Sequence, residues 1–337
     1  MKVSELGEFG LIDLLAKMVS SSRNNKSEPH QQLIIGIGDD AAVWHDDASI
    51  KLATVDSLIQ DVHFSLSTIS WKELGWKALA VNLSDIAAMG GMPKYALVSL
   101  ALPGDTEVED VTALYQGMME LARQFQVAIV GGDTCKAPVV SITVTVLGSS
   151  QGQNILRRAT ARPGDNIAVT GYLGSAAAGM EMLTNKLQFE PEVTTYLRDA
   201  FLRPRPRIAE GQLLVKQGVV TAIDISDGLL SDLRQICKAS QVSARVEVDR
   251  LPVQSAVRDN FGERALELAL AGGEDYELLF TASAEVINRV KREAPCPVTI
   301  IGEITEDKAG ELSLMDTNGN PVNLRDTGWE HFKSGGI

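Results

Sequence analysis

Residues 77–90 read KALAVNLSDIAAMG, a run of small and apolar residues that contains one carboxylate, Asp85. Together with the residues before it, this run predicts a helix over 71–89 that ends at a Gly-Gly-Met-Pro stop signal over 90–93. An ionised side chain among apolar neighbours is costly unless it is paired or binds a metal. The stretch therefore predicts a largely buried helix that carries a functional carboxylate.

On both sides of this helix, apolar strands alternate with helical patterns. The expected strands are 33–35, 50–55, 95–102, 127–130, 139–147, 167–170, 219–225, 244–248, 278–281 and 298–301. The expected helices are 9–19, 108–125, 175–183 and 228–239, with another between the last two strands. This alternation is typical of the α/β class, with a sheet covered on one or both faces.

The length of 337 residues favours two domains. Basic residues followed by an Arg-Pro-Gly-Asp turn over 162–165 change the composition near the middle of the chain. We therefore expect domains over 1–155 and 156–337.

The charge balance excludes several classes of partner. Lys and Arg number 31 against 44 Asp and Glu, so the formal net charge is −13. A chain this acidic lacks the cationic surface of a nucleic-acid or anionic-membrane binder, and any phosphate ligand calls for metal ions. Three widely spaced cysteines without a C-x-x-C pair argue against a disulfide framework or a zinc site. No apolar run reaches the ~18 residues of a membrane span, so we expect a cytoplasmic enzyme or small-molecule binder.

The common catalytic motifs are absent from the sequence. There is no P-loop, no H-R-D loop, no H-E-x-x-H and no G-x-S-x-G, and Gly36-Ile37-Gly38 lacks the third glycine of a dinucleotide fingerprint. The four histidines are scattered, and no cysteine lies beside a plausible base. Hydrolase triads therefore have little support.

What recurs instead is a carboxylate beside a glycine or another small residue where an apolar element is expected to end. The set is Asp39, Asp40, Asp56, Asp85, Asp133, Asp224, Asp227, Glu274 and Asp275. Carboxylates bind Mg²⁺ together with water and substrate phosphates, and glycine lets the backbone approach a phosphate closely. Taken singly, most of these residues are better explained as turn formers or helix caps, whereas Asp85, among apolar neighbours, is not. Taken together, they favour a multi-metal polyphosphate site.

Few cationic side chains accompany these carboxylates. Arg158 follows the first-half strands, and Arg203, Arg205 and Arg207 belong to a stiff Arg-Pro-Arg-Pro-Arg connector. They are interpreted either as cationic partners of the phosphates or as solvated surface charges, and the sequence leaves both open.

Six motifs carry a resemblance to a known family. They are GIGDDAA over 36–42, Asp56-Ser57-Leu58 with His63-Phe64, KALAVNLSDIAAMG over 77–90, GGDT over 131–134, DISDGL over 224–229 and GGEDYEL over 272–278. With these motifs in this order, the chain closely resembles the thiamine-monophosphate kinase family of the aminoimidazole ribonucleotide synthetase-like superfamily, from Gly7 to Phe332. The resemblance implies Mg²⁺-dependent transfer of a phosphoryl group from ATP directly onto thiamine monophosphate, giving thiamine diphosphate. It also implies a two-domain α/β (α+β) fold and a homodimer, in which the N-terminal domains form a β-barrel at the interface and the C-terminal domain is α/β.

The resemblance also assigns roles to residues. The implied ligands of several Mg²⁺ ions are Asp40, Thr54, Val55, Asp56, Asp85, Asp133, Asp224 and Asp227. The implied ATP contacts are Tyr115, Gly132, Asp133, Arg158 and Ser226, and the implied substrate contacts are His63, Glu274 and Trp329. No protein base or nucleophile is expected, because a phosphate oxygen is already anionic near neutral pH.

The sequence departs from the family pattern at two positions. Asp61 stands where the family usually has glycine, which affects the placement of His63. Val55 stands where the family often has threonine, so that only its carbonyl group would reach a metal.

Two other functions remain open at this point. One is a superfamily relative that uses ATP on another substrate, and the other is a non-catalytic sensor or carrier of thiamine phosphate. Trp329 suits a cationic thiazolium ring, but a C-terminal core position would also explain it.

Overall fold

The computed structural model describes residues 11, 14–15, 17–22, 33–35, 43–44, 50–150 and 154–322. The chain divides into two units: unit 1 is Met1–Ile86 with Met92–Gly152, and unit 2 is Ala87–Gly91 with Gln153–Ile337. Within the described residues, no helix is both long enough and apolar enough to cross a membrane.

Unit 1 is built on a four-stranded sheet. Its strands, together with a separate antiparallel pair β1 and β2, are Leu33–Ile35 (β1), Val43–Trp44 (β2), Lys51–Ile59 (β3), Met92–Leu102 (β4), Ala128–Lys136 (β5) and Ser141–Ser149 (β6). The spatial order is β3-β6-β4-β5, in which β6 runs antiparallel to β3 and β4 while β5 runs parallel to β4. The sheet therefore has open edges at β3 and β5, and no closed barrel is found among the described strands.

Two long helices of the first half pack with their backbones in close approach. They are Trp71–Ala88 (α1) and Val108–Phe125 (α2). A Cβ added at Gly75 would lie 1.8 Å from the carbonyl oxygen of Leu114, and one added at Gly117 would lie 1.8 Å from that of Lys72. Only glycine fits at this crossing. The predicted helix over 71–89 is confirmed, and its polar residues Asn82 and Ser84 are fully enclosed.

Unit 2 contains a six-stranded, mostly antiparallel sheet. Its strands are Asn166–Thr170 (β7), Thr221–Asp224 (β8), Ser243–Glu247 (β9), Leu278–Ala282 (β10), Val298–Thr305 (β11) and Leu312–Met315 (β12). The order is β12-β9-β11-β7-β10-β8, and only the β12–β9 pair among these strands is parallel. The helices are Ser175–Asn185 (α3), Pro191–Leu202 (α4), Ile208–Lys216 (α5), Leu229–Ser240 (α6), Ser255–Phe261 (α7), Arg264–Ala271 (α8) and Ala284–Glu293 (α9). The mixed α/β class is confirmed, although helices α4, α5, α7 and α8 and strand β12 were not expected from the sequence.

The main core of unit 2 lies between its sheet and helix α6. Ile167 and Leu279 of the sheet pack in one cluster with Leu229, Leu233 and Ile236 of the helix. Burial of these side chains fixes the helix against the sheet, and the loop between β8 and α6 is thereby held at the end of β8.

Two of the expected strand ends that prove wrong concern candidate site residues. Strand β3 continues beyond Asp56 to Ile59, and β5 continues through Gly131-Gly132-Asp133-Thr134 to Lys136. The continuous partner strand explains each extension, since Asp56 pairs with Val144 and Asp133 with Ser99. Pairing with a neighbouring strand overrides the local glycine signal. Asp56 and Asp133 therefore lie within strands rather than after them.

Candidate active site

In unit 1, strand β3 and helix α1 meet at a set of oxygen-bearing side chains. The Thr54 hydroxyl donates a hydrogen bond to Asp85 Oδ2 at 2.5 Å. The backbone N–H of Asp56 donates to Asn82 Oδ1 at 3.0 Å, and Asn82 Nδ2 donates to the carbonyl of Ala78 at 3.1 Å. Thr54 and Asp56 are two residues apart on the strand, and Asn82 and Asp85 are three apart on the helix, so each pair shares a face. The structure thus brings Thr54, Asp56 and Asp85 to one seam.

The side-chain oxygen atoms of Thr54, Asp56 and Asp85 are of the type that binds a hard cation. Hydroxyl and carboxylate oxygens are the ligands of Mg²⁺, which usually keeps waters and phosphate oxygens in the rest of its shell. In the described parts of the chain, no group of three or more His, Cys, Asp or Glu side chains forms a complete metal centre. The oxygen atoms at the seam therefore fit a magnesium ion that has water and phosphate oxygens in the rest of its shell.

The other candidates on the strands and on helix α2 of unit 1 differ in their exposure. Val55 is 57% exposed, and Asp133 is exposed on β5. Gly132 lies against β4, where an added Cβ would be 1.7 Å from the carbonyl oxygen of Val98. Tyr115 is buried in α2, and burial raises the pKa of its hydroxyl above the usual value. The roles assigned to these residues stay predictions.

The turn after β3 fixes the orientation of His63. Its ring Nδ1 accepts a hydrogen bond from the backbone N–H of Ile59 at 3.1 Å, so the neutral ring carries its proton on Nε2. Asp61 has a φ of 61°, the left-handed conformation that glycine adopts most easily. Aspartate tolerates that conformation, and the turn forms despite the departure from the family pattern.

In unit 2, a third carboxylate joins Asp224 and Asp227. Asp232 of helix α6 accepts hydrogen bonds from the N–H groups of Ser226 at 3.0 Å and Asp227 at 3.1 Å. Burial, and then repulsion from Asp224 and Asp227, raise the pKa of Asp232 to about 8. Sequence reasoning missed Asp232, although a carboxylate in the first turn of a helix is a recognised sign of a loop contact.

The motif over 224–229 and the motif over 272–278 are neighbours in space. Beyond the paired strands β8 and β10, the N–H of Ile225 donates to the carbonyl of Glu277 at 2.8 Å, and the N–H of Tyr276 donates to Ile225 at 2.9 Å. The N–H of Glu274 donates to the carbonyl of Ser226 at 2.8 Å. Ser226, a candidate ATP contact, and Glu274, a candidate substrate contact, are thereby joined by a direct hydrogen bond.

Asp275 ties the same loop to helix α3. Its carboxylate accepts hydrogen bonds from the N–H groups of Gly174 at 2.7 Å and Ala176 at 3.1 Å, at the N-terminus of the helix. Burial raises the pKa of Asp275 to about 7, against the opposing effect of these donors. The residue has a structural role that the sequence did not indicate.

Other candidates are exposed or lie outside the described residues. Arg158 is exposed, and its carbonyl accepts a hydrogen bond from the Ser240 hydroxyl at 2.8 Å. Asp40 and Trp329 lie outside the described residues, as does Asp39.

Comparison with known proteins defines the class of the chain. Residues 38–150 match the N-terminal domain of the AIR synthase related proteins, and residues 162–315 match the C-terminal domain of the same family. The two matches cover most of the sequence. The chain therefore belongs to the AIR synthase related family.

Full-length relatives narrow this assignment. A thiamine-monophosphate kinase of Bacillus subtilis is 38% identical over 315 residues, which are 90% of this chain and 95% of the relative. The thiamine-monophosphate kinase of Stenotrophomonas maltophilia has a crystal structure with a TM-score of 0.80 and 35% identity, covering 93% of this chain and 96% of its own. The structure "AaThiL complexed with AMPPCP and TMP" has a TM-score of 0.76 and 34% identity, covering 98% and 99%. Within its family, the chain belongs to the thiamine-monophosphate kinases.

Proposed function

We propose that the protein transfers the γ-phosphoryl group of ATP to the phosphate of thiamine monophosphate, giving ADP and thiamine diphosphate. The observation that carries the proposal is the likeness, over 98% of the chain, to a solved structure that holds both AMPPCP and TMP. AMPPCP is an ATP analogue whose terminal phosphoryl group is not transferred. A nucleotide and a phosphate-bearing acceptor in one complex are the reactants that this activity requires.

The seam between β3 and α1 is proposed to bind Mg²⁺ through Asp56, Asp85 and Thr54, with Asp40, Asp133 and the carbonyl of Val55 as further ligands. Asp224 and Asp227 are proposed as further Mg²⁺ ligands, as the family pattern implies. Bound Mg²⁺ supplies positive charge that offsets the repulsion between the two anionic reactants. In support, the chain carries a net charge of −13 and offers few cationic side chains near these motifs.

His63 is proposed to position the substrate phosphate rather than to accept a proton. Because Nδ1 accepts the Ile59 N–H, the outward nitrogen of the neutral ring is the protonated Nε2. An N–H group can donate to a phosphate oxygen, but it cannot remove a proton. The reaction needs no base, because the attacking phosphate oxygen is already ionised at a pH above its second pKa of about 6.

The other contacts follow the family pattern. Gly132, Ser226, Arg158 and Tyr115 are proposed to bind ATP. Glu274 and Trp329 are proposed to bind thiamine monophosphate. The hydrogen bond between the Glu274 N–H and the Ser226 carbonyl supports adjacent subsites for acceptor and nucleotide in unit 2.

A homodimer is proposed from the outer face of the four-stranded sheet. Val55, Thr145 and Leu97 form a row across β3, β6 and β4, and Val55 is the most exposed of the large apolar side chains in the described part of the chain. Apolar side chains exposed on a sheet face are normally covered. We propose that a second copy of the chain covers it and that the strands of the two copies form the expected barrel, in a protein of the cytoplasm.

The test is release of ADP from MgATP in the presence of thiamine monophosphate. Turnover should require both Mg²⁺ and this acceptor, and EDTA should abolish it. Turnover with an aminoimidazole ribonucleotide precursor instead would favour the superfamily relative. Tight binding of thiamine monophosphate without any ADP release would favour a sensor or carrier.

A further inference from the structure

Arg207, one of the connector arginines, forms a bidentate ion pair inside unit 2. Its Nε donates to Glu277 Oε2 at 2.7 Å, and its Nη2 donates to Glu277 Oε1 at 2.5 Å. The side chains are only 19% and 7% exposed. The interpretation of Arg207 as a solvated surface charge is therefore wrong. A planar ion pair with two hydrogen bonds fixes the orientation of the two side chains as well as the distance between them.

The Glu277 carboxylate is enclosed on its other sides. The Thr170 hydroxyl donates to Oε2 at 2.7 Å and accepts the N–H of Leu278 at 2.8 Å. At Gly171, which has a φ of +58°, an added Cβ would lie 1.9 Å from Oε1. The space is closed to other positions of the Glu277 side chain, so its carboxylate is held in the position that pairs with Arg207.

Glu277 ends the loop that carries Glu274. Both Glu274, with a φ of 66°, and Tyr276, with a φ of 50°, have left-handed backbone conformations that are uncommon for residues other than glycine. Such conformations persist only where surrounding contacts hold them. Besides the backbone hydrogen bonds to Ile225 and Ser226, two side-chain contacts hold this loop to the rest of unit 2: Asp275 binds the N-terminus of α3, and Glu277 binds Arg207.

We propose that Arg207 is a positioning residue for substrate binding, acting through Glu277 to hold the 272–277 loop so that Glu274 meets thiamine monophosphate. The proposal rests on the proposed function. Arg207 does not touch the substrate in this role. Its contribution is the geometry of the loop, so its loss raises the KM for thiamine monophosphate more than it lowers kcat.

The experiment separates positioning from simple stability. Arg207→Met leaves the buried carboxylates of Glu277 and Glu210 without their cation, because Arg207 Nη1 also donates to Glu210 Oε1 at 3.4 Å, whereas Glu277→Met leaves Arg207 with Glu210 alone. The double variant replaces both members of the bidentate pair by apolar side chains of similar length. Only Glu210 then lacks its partner, so the double variant should recover part of the melting temperature. All three variants are expected to show a KM for thiamine monophosphate raised by about tenfold or more, with kcat changed by less than about threefold. The double variant should keep the high KM despite its partly recovered stability.

A matched control is the bidentate pair of Arg264 and Glu181, which lies at an exposed surface between α8 and α3. Arg264→Met with Glu181→Met should leave both kinetic constants unchanged. Binding of thiamine monophosphate, measured by calorimetry, should weaken with the Arg207 variants in parallel with KM.

A stable double variant with the wild-type KM would overturn the proposal, and so would a loss confined to kcat. If the double variant does not fold, the KM of Arg207→Lys for thiamine monophosphate tests the proposal instead. Lysine keeps the positive charge but cannot form the two parallel hydrogen bonds to Glu277. A wild-type KM in that variant would also overturn it. Absence of turnover in the wild-type protein would instead refute the proposed function, so the two failures are distinct.

Discussion

The Thr54 hydroxyl donates a 2.5 Å hydrogen bond to the Asp85 carboxylate, joining an edge strand to a buried helix. A hydrogen bond from a hydroxyl to a carboxylate is strong, and it orients the acceptor. Asp85 is therefore held with its Oδ2 toward β3, which is the preorganisation that its proposed role as a metal ligand needs.

Asp85→Asn is expected to lower kcat by at least ~10²-fold, a few kcal/mol of lost electrostatic stabilisation, because the amide removes the negative charge that binds Mg²⁺. ADP release at saturating substrates measures the effect. Asp105→Asn, at an exposed position, is the control and should retain full activity. Near-normal turnover in a folded Asp85→Asn protein would refute the metal site at this seam.

Asn82→Leu should destabilise unit 1 by ~1–3 kcal/mol and raise the Mg²⁺ concentration needed for half-maximal activity. The near-isosteric leucine leaves the part-buried Asp56 N–H without its acceptor, so β3 loses one of the hydrogen bonds that tie it to α1 beside two candidate ligands. Urea denaturation and a Mg²⁺ titration measure the two effects. Asn260→Leu is a matched control, since this exposed asparagine also donates to the carbonyl four residues earlier. An unchanged Mg²⁺ dependence in Asn82→Leu would show that the hydrogen bond has no part in the metal site.

The pH dependence of kcat/KM should follow the substrate phosphate, rising through about 6 and remaining flat above it. His63→Asn, which keeps a hydrogen-bonding group but cannot titrate, should raise KM more than it lowers kcat. Thiamine should not be phosphorylated, because its hydroxyl would need a base. The measurement is a pH series at saturating Mg²⁺ and ATP with both acceptors. Efficient use of thiamine, or a basic limb that disappears with His63, would identify a protein base.

Trp329→Ala should weaken thiamine monophosphate binding by ~1–2 kcal/mol, the value of a cation–π contact with a desolvated thiazolium ring. The KM for ATP should not change. Calorimetry with each substrate, alongside a thermal melt, tests this prediction for a residue outside the described part of the chain. Equal weakening of both substrates together with a large loss of thermal stability would identify Trp329 as a core residue instead.

Local sequence patterns were sufficient to predict many of the helices and strands of this protein. Helix α2 was predicted over 108–125 and lies at Val108–Phe125, and α1 ends within one residue of its expected end at 89. Apolar spacing and Gly/Pro stop signals are properties of neighbouring residues, so a single sequence contains them. The same holds for the six motifs and the family that they indicate. Their residue types and their order along the chain can be compared with a family without knowing which residues are in contact.

The tertiary structure alone decided which of those residues meet. Arg207 and Glu277 are 70 positions apart, and nothing near either residue predicts their ion pair. Strand β5 passes through two glycines because β4 continues beside it, and Asn82 matters because Asp56 of a distant strand donates to it. Hydrogen bonds and ion pairs of this kind depend on how helices and strands pack against one another. That packing depends on the burial of apolar side chains from the whole chain rather than on any local pattern. The sequence by itself therefore determined the elements, the motifs and the family, whereas the contacts that orient the candidate site residues came only with the fold.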